Sequence, residues 1–593
     1  MPARTGPIAL RALSVDEPKL AFDLALDTLD ARWYRDGERS LLVLGLRADA
    51  SGLRSAAEAD ELIHALASDA PAALLRLQGA WVLLFADAAT DRCILATNRA
   101  GTRSPCYAVR GHQLAFGLTA LDVAGVEREP GRLRAQAIFD YLHSHFIPAP
   151  ETVFDGVERL LPGEYVEFAQ GVASRRRYWE PRYADSAAGF DFAASKATFR
   201  RLLENSVRAE VGSGTTGAFL SGGTDSSTVA GMLGLVTGEP ARTYSIGFDA
   251  AGFDEIGYAR IAARHFGTRH HEYYVTPADL VRSIPQVAAA YDQPFGNSSA
   301  LPAYYCATLA REDGVDKILG GDGGDELFGG NTRYARQKVF DAYRHVPAWL
   351  RSGVVEPLLL GPAATRRIPL ARKARSYVEQ AQLPMPSRLH TYNLLERIGL
   401  ERILTRSFLA AVDERAMAAS EAAEYARCSA GSLVDRMLCL DWKYTLADND
   451  LPKVVGTCGL AGMDVGFPLL NEDLVEFANA LPAREKVKGL TLRHFFKAAL
   501  RDFLPAEIIA KKKHGFGLPF GPWLVKDAAL RGLATRTLES LRTRGIVRAE
   551  FIDELLAQRV HEHAAYYGEL VWVMMMLEQW LQAHRPDYTH VGH

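Results

Sequence analysis

Cysteine is scarce in this chain: six in 593 residues, at positions 93, 106, 306, 428, 439 and 458. None has C-x-x-C spacing, which excludes the common zinc frames and leaves reduced, mostly buried thiols as the expectation. Charge of one sign is lacking too. The 68 Lys and Arg against 71 Asp and Glu leave a formal net charge of −3, which argues against a dedicated nucleic-acid binder. No apolar run approaches the roughly 20 residues of a membrane span. Val571–Met576 is apolar but short, and it reads as part of an amphipathic pattern. No apolar signal core follows Met1-Pro2-Ala3-Arg4. These absences predict a cytoplasmic chain with neither a nucleic-acid nor a membrane partner, and its length suggests two to four domains.

What is present is concentrated in two loops. Ala218-Phe219-Leu220 reads as a buried strand and Thr228–Leu233 as a helix. Between them runs Ser221-Gly222-Gly223-Thr224-Asp225-Ser226-Ser227. Glycine lets a backbone turn tightly beside a ligand, and a helix start aims free N–H groups at an anion. The run is therefore a candidate phosphate cradle. It lacks the G-K-[ST] of a Walker loop and the G-x-G-x-x-G of a dinucleotide fingerprint. A carboxylate, Asp225, within an anion site makes sense as a Mg²⁺ ligand. The second loop, Gly320-Gly321-Asp322-Gly323-Gly324-Asp325-Glu326, follows the apolar strand Lys317–Leu319. Glycines and acids at the end of a strand suit backbone packed against a ligand and carboxylates facing a cation.

S-G-G-x-D-S-S resembles the pyrophosphate loop of the ATP pyrophosphatases, and later stretches resemble the asparagine synthetase-like branch of that superfamily. The resemblance implies ATP and Mg²⁺ as cofactors. Leu220, Ser221, Gly222, Gly223, Asp225, Ser226, Ser227, Gly321 and Gly323 would bind the nucleotide, and Asp225 and Asp325 would hold the metal. The backbone of Ile246, Gly247 and Phe248, at the end of the strand Thr243–Phe248, would receive the adenine. Asp322 would face the acyl acceptor region. Leu446–Lys453 and Asp464-Val465-Gly466-Phe467-Pro468-Leu469-Leu470 also resemble the family, with an Asp and two Arg missing and Asp464 in place of the usual Glu. Asp464 is the implied base. In Lys511-Lys512-Lys513-His514-Gly515-Phe516-Gly517 the register implies that Lys513 bridges phosphate and oxyanion, with Lys511 and Lys512 left to solvent.

Residues 1–170 read as strand-rich, with a helix at Ala57–Ser68. Leu74–Trp81 and Asn98–Tyr107 resemble the family's N-terminal glutaminase domain. Its nucleophilic cysteine would stand at position 2, where this chain has Pro2, so a degenerate domain without glutaminase activity is expected. Arg175-Arg176-Arg177 reads as a solvated linker strand. The expected architecture is α+β then α/β: an Ntn-hydrolase-like αββα sandwich over 1–185, then a parallel-sheet ATP pyrophosphatase domain with a helical C-terminal part over 190–593. The resemblance implies a ligase that joins a small-molecule or peptide carboxylate to an amine or ammonia through an acyl-adenylate; a homodimer is compatible with it. Three alternatives stand beside this reading: an ammonia-dependent asparagine synthetase, a cyclase like the β-lactam or lasso-peptide macrolactam synthetases, and a catalytically silent nucleotide-binding scaffold.

Overall fold

The computed structural model describes residues 31–44, 56–111, 113–125, 131–184, 189–250, 252–360, 369–391, 393–512 and 517–590. Position 2 and Lys513 lie outside these residues, and the domain boundary expected at 185–190 falls partly outside them.

The first nine strands form two antiparallel sheets. One contains β1 (Ala31–Asp36), β2 (Arg39–Leu44), β3 (Val82–Asp87), β4 (Arg92–Thr97), β8 (Glu164–Ala169) and β9 (Val172–Arg177), in the order β1-β2-β3-β4-β8-β9. The other contains β5 (Cys106–Arg110), β6 (Gln113–Gly117) and β7 (Glu158–Arg159), ordered β6-β5-β7. The strands β2, β3 and β4 of the larger sheet read as near-continuous apolar runs because both of their faces are covered. Leu41, Val43, Leu83 and Phe85 point to the side carrying the helix Ala56–Ser68. Leu42, Leu84, Leu95 and Val166 point the other way, against Leu114 and Phe116 of the smaller sheet. The helices Ala120–Ala124 and Ala135–Ser144 close the far side. This is the αββα sandwich expected.

A helix, Phe192–Glu210, starts the second half; Asp191 caps it by accepting from the N–H groups of Ala193 and Ala194. The sheet that follows is fully parallel: β10 (Thr216–Phe219), β11 (Arg242–Phe248), β12 (Arg269–Val275), β13 (Lys317–Leu319) and β14 (Asp464–Gly466), in the order β12-β11-β10-β13-β14. The rest of the second half is mainly helical.

The last helix, Ala564–His584, is buried along its length from Leu570 to Leu581, so Val571–Met576 belongs to an all-round apolar core helix and not to an amphipathic one. Its groups bond to both halves. Tyr141 donates its hydroxyl to the Val573 carbonyl (2.8 Å), Trp572 donates to Gly296 O (2.8 Å) and Trp580 to Tyr291 O (3.0 Å). No helix among the described residues is long and apolar enough to cross a membrane.

Polar contacts pin the halves together elsewhere. Arg177 makes a two-pronged bond to Glu424 (3.1 and 3.1 Å), and Glu476 accepts from both Arg99 (3.0 Å) and Trp179 (2.8 Å). Arg175 pairs with Glu164 at 2.9 Å. Arg175 and Arg177 are therefore strand residues, as expected, but ion-paired rather than solvated.

Candidate active site

The order of the parallel sheet places the site. From β10 the chain steps to β11 and β12 on one side, then returns to lay β13 on the other. The strand order therefore reverses between β10 and β13, and a sheet of this kind carries its crevice at such a switch point, outside the carboxyl ends of the strands. A cavity of about 920 Å³ lies there.

The first loop is shaped by its glycines and serines. Gly222 turns at φ +67°, and a Cβ there would overlap the backbone of Tyr258 and Ala259. The helix Thr224–Thr237 begins at Gly223 with no side-chain cap, so its first N–H groups keep their donor capacity for a ligand. Ser226 Oγ folds back onto the loop, accepting from Ser221 N (3.2 Å) and bonding Ser221 Oγ (2.9 Å).

The second loop packs directly on the first. A Cβ on Gly321 would lie 2.8 Å from the nitrogen of Ser226, and one on Gly324 would lie 2.5 Å from Cγ of Asp225. Gly324→Ala is thus expected to displace that carboxylate while the circular dichroism spectrum stays native. The strain of such an insertion, about 1–3 kcal/mol, corresponds to a loss of about fivefold to 150-fold in ATP turnover, read by pyrophosphate release.

Asp225 and Asp325 converge on one cation. The Arg493 guanidinium donates to both carboxylate oxygens of Asp225, to Oδ1 of Asp325 and to Thr224 Oγ1. Its side chain is 6% exposed and its Nε has no hydrogen-bond partner among the described residues. The Arg493 backbone is left-handed, φ +54°. Two carboxylates converging on one positive charge, with oxygen as the only donor type, form a set suited to Mg²⁺. Lys497 stands close by; burial and Arg493 lower its pKa, and Asp225 opposes them.

The cavity holds a second charge cluster. Lys453 Nζ is 2.9 Å from Asp450 and 3.7 Å from Asp322. Burial raises the Asp322 pKa and Lys453 partly offsets that. Burial alone would lower the Lys453 pKa, but Asp450 and Asp322 outweigh it and hold the ammonium above its ordinary value.

Most of the expected residues meet in this cavity. Leu220, Ser221, Gly223, Asp225 and Ser226 line it from the first loop. Gly321, Asp322, Gly323 and Asp325 line it from the second, and Ile246 from β11. Others do not line it. Ser227 is fully buried on the inner side of its helix, its Oγ unpartnered among the described residues. Gly222 presents its carbonyl to Lys511, not to the cavity. Gly247 and Phe248 do not line it with side chains: a Cβ on Gly247 would meet the Tyr274 ring, and Phe248 packs against Trp523; the adenine contact expected of both is through backbone, which these contacts do not contradict.

Two further expectations need correction. Asp464 opens β14 opposite Lys317, the first residue of β13, so it sits at the amino edge of a sheet whose carboxyl edge carries the cavity. It is half-exposed, with Arg103 of the N-terminal half 3.6 Å away. Lys511 is not solvated: its side chain is 8% exposed, and Nζ reaches Gly222 O (3.3 Å), Ser221 O (3.5 Å) and Glu255 (3.1 Å). Lys512 is exposed at the rim.

Arg493 and Lys497 carried no signal in the sequence, since neither belongs to a glycine-rich or acidic run. Lys453 lay in a stretch already singled out, but without an assigned role.

Comparison with known proteins is consistent with both halves. The asparagine synthase family matches residues 198–582, and the glutamine amidotransferase domain matches residues 42–179. A putative glutamine-hydrolyzing asparagine synthetase of Mycobacterium tuberculosis is 25% identical over 528 residues, covering 86% of this chain and 77% of that protein. Glutamine-hydrolyzing asparagine synthetase 1 of Bacillus subtilis is 22% identical over 448 residues, covering 75% and 68%. A putative glutamine-hydrolyzing asparagine synthetase 2 of Methanocaldococcus jannaschii is 30% identical over 277 residues, covering 46% and 53%.

Proposed function

The chain belongs to the asparagine synthase family, and from that premise we propose that it is an ATP-dependent, AMP-forming amide ligase with no glutaminase activity of its own. The observation that carries this reading is the meeting of two glycine-rich loops in one cavity, with Asp225 and Asp325 turned to a common point. The substrate carboxylate attacks the α-phosphorus of ATP, and pyrophosphate departs against the start of the helix Thr224–Thr237. Mg²⁺ held by Asp225 and Asp325 would neutralise charge on the departing group. An amine then attacks the acyl-adenylate and AMP leaves. Asp322 is the cavity carboxylate placed to take the amine's proton, in the role that Asp464 is too far round the sheet to fill. Lys513 is the lysine proposed to bridge the α-phosphate and the developing oxyanion.

The test is carboxylate-dependent exchange of labelled pyrophosphate into ATP, run across a panel of amino acids, peptides and other acids. Exchange with at least one acid supports the reading. Absence of exchange with every acid, in protein that binds ATP, favours a silent scaffold.

One observation bears on the substrate. Lys453 is already held by Asp450 and Asp322, so it is poorly placed to read a second substrate carboxylate. This favours a carboxylate other than free aspartate, as in cyclisation of the β-lactam or macrolactam type, over an ammonia-dependent asparagine synthetase.

The N-terminal half is proposed to be a scaffold. Its two cysteines, Cys93 and Cys106, are buried, and burial pushes their thiols up to about 12 and about 11. Neither can supply a thiolate near neutral pH. Purified protein is expected to release no glutamate from glutamine above background. Turnover that a thiol reagent abolishes would sink this part of the reading.

A further inference from the structure

We infer that Arg493 is the resident counter-cation of the metal site: without nucleotide it holds Asp225 and Asp325 together and keeps free divalent cations out. This rests on the reading of those two aspartates as metal ligands.

The guanidinium does not merely lie near the carboxylates. It takes both oxygens of Asp225 and Oδ1 of Asp325, the oxygens that a shared divalent ion would need. A planar fork matched to carboxylates in a buried site is the strongest form such a pairing takes. The surroundings are built for it. A Cβ on Gly330 would overlap both Asp325 and Arg493, so glycine at that position is what lets the two meet. Arg493 is one of the few described non-glycine residues with a left-handed backbone, at the position that starts the helix His494–Ala499.

Competition follows from charge and geometry. A bare divalent cation would have to displace a buried, multiply bonded guanidinium that already lies within reach of the Lys497 charge. A cation arriving with a nucleotide brings phosphate oxygens as its own ligands, and the same phosphates give the displaced guanidinium somewhere to bond. Metal entry is therefore coupled to nucleotide entry through a residue of the chain.

The experiment titrates full-length protein with Mn²⁺, following free Mn²⁺ by electron paramagnetic resonance, with and without α,β-methylene-ATP, the nucleotide arm being read against the same analogue titrated without protein. Without nucleotide, Arg493→Gln is expected to bind Mn²⁺ at least about tenfold more tightly than wild type, because two part-buried carboxylates lose the guanidinium they share. With the nucleotide analogue, wild type should bind Mn²⁺ readily. Should Arg493→Gln fail to fold, Arg493→Lys carries the same comparison: one ammonium cannot fork across both carboxylates, so several-fold tighter binding is expected. If wild type and the folded variant bind Mn²⁺ equally without nucleotide while wild type binds it with the analogue, the counter-cation role is overturned and the metal assignment stands. If wild type binds no Mn²⁺ even with the analogue, the metal assignment falls and this inference falls with it.

Discussion

Asp225→Asn is expected to lower carboxylate-dependent ATP–pyrophosphate exchange by on the order of 10³-fold, with the fold intact. Asp225 is the residue on which most of the site depends. It stands at the first turn of the helix Thr224–Thr237, it is bonded through both oxygens to Arg493, and Gly321 and Gly324 are bare so that the second loop can lie against it. An amide keeps the size and one acceptor oxygen but has no charge, so it cannot share a divalent ion with Asp325. The fold should survive because Arg493 keeps Asp325 as a partner. Asp325→Asn should behave the same way. The measurements are exchange rate and far-ultraviolet circular dichroism on each variant. Near-native exchange in both would remove the metal from this pair. Collapse of the circular dichroism signal would mean that the aspartates serve folding first.

Lys511→Ala is the second large effect, and it runs against what the lysine run suggests on its own. The ammonium ties the carbonyls of Ser221 and Gly222 to Glu255 and lies 4.5 Å from the Tyr258 ring centroid. Removing it leaves Glu255, part-exposed, without this partner and frees the turn that starts the phosphate loop. A deep pair would cost about 3–5 kcal/mol. Partial exposure of Glu255 brings that to about 2 kcal/mol, or roughly thirtyfold. Because Lys511 shapes the loop, the loss should appear mainly in KM for ATP, with kcat less affected. Lys512→Ala, at the exposed rim, should lie within about twofold of wild type, as surface changes usually do. Equal behaviour of the two variants would show that the tether contributes nothing to binding.

The contrast between these lysines marks how far the sequence could be read. The two phosphate loops were legible because their chemistry is local: turn glycines, hydroxyls and a carboxylate occupy adjacent positions, and the flanking apolar runs identify strand and helix. The continuous apolar strands of the N-terminal sheet were legible for the same reason. Three neighbouring lysines carry no such register, since a charge run does not say which member turns inward. Asp464 matched a motif, but a motif does not state at which end of a three-residue strand a side chain will stand; its pairing with Lys317 does. Arg493 reaches Asp225 across 268 positions, a distance at which no spacing rule operates. Ser227 shows the finer limit: it sits inside a correctly read motif, yet helical rotation turns it into the core while Ser226 faces the cavity.

The contact between Tyr141 and Val573 also sets a clock. These residues are 432 positions apart, and ribosomes add about 5–20 residues per second. The N-terminal sandwich must therefore wait roughly 20–90 s after Tyr141 is made before its partner carbonyl exists. During that interval the surface later covered by the helix Ala564–His584 is bare, including Phe154, which ends with its ring centroid 6.2 Å from that of Trp580. A nascent chain of this protein exposes an apolar seam until the helix Ala564–His584 is made, so a stall or truncation before that helix would release chains with the seam open to aggregation.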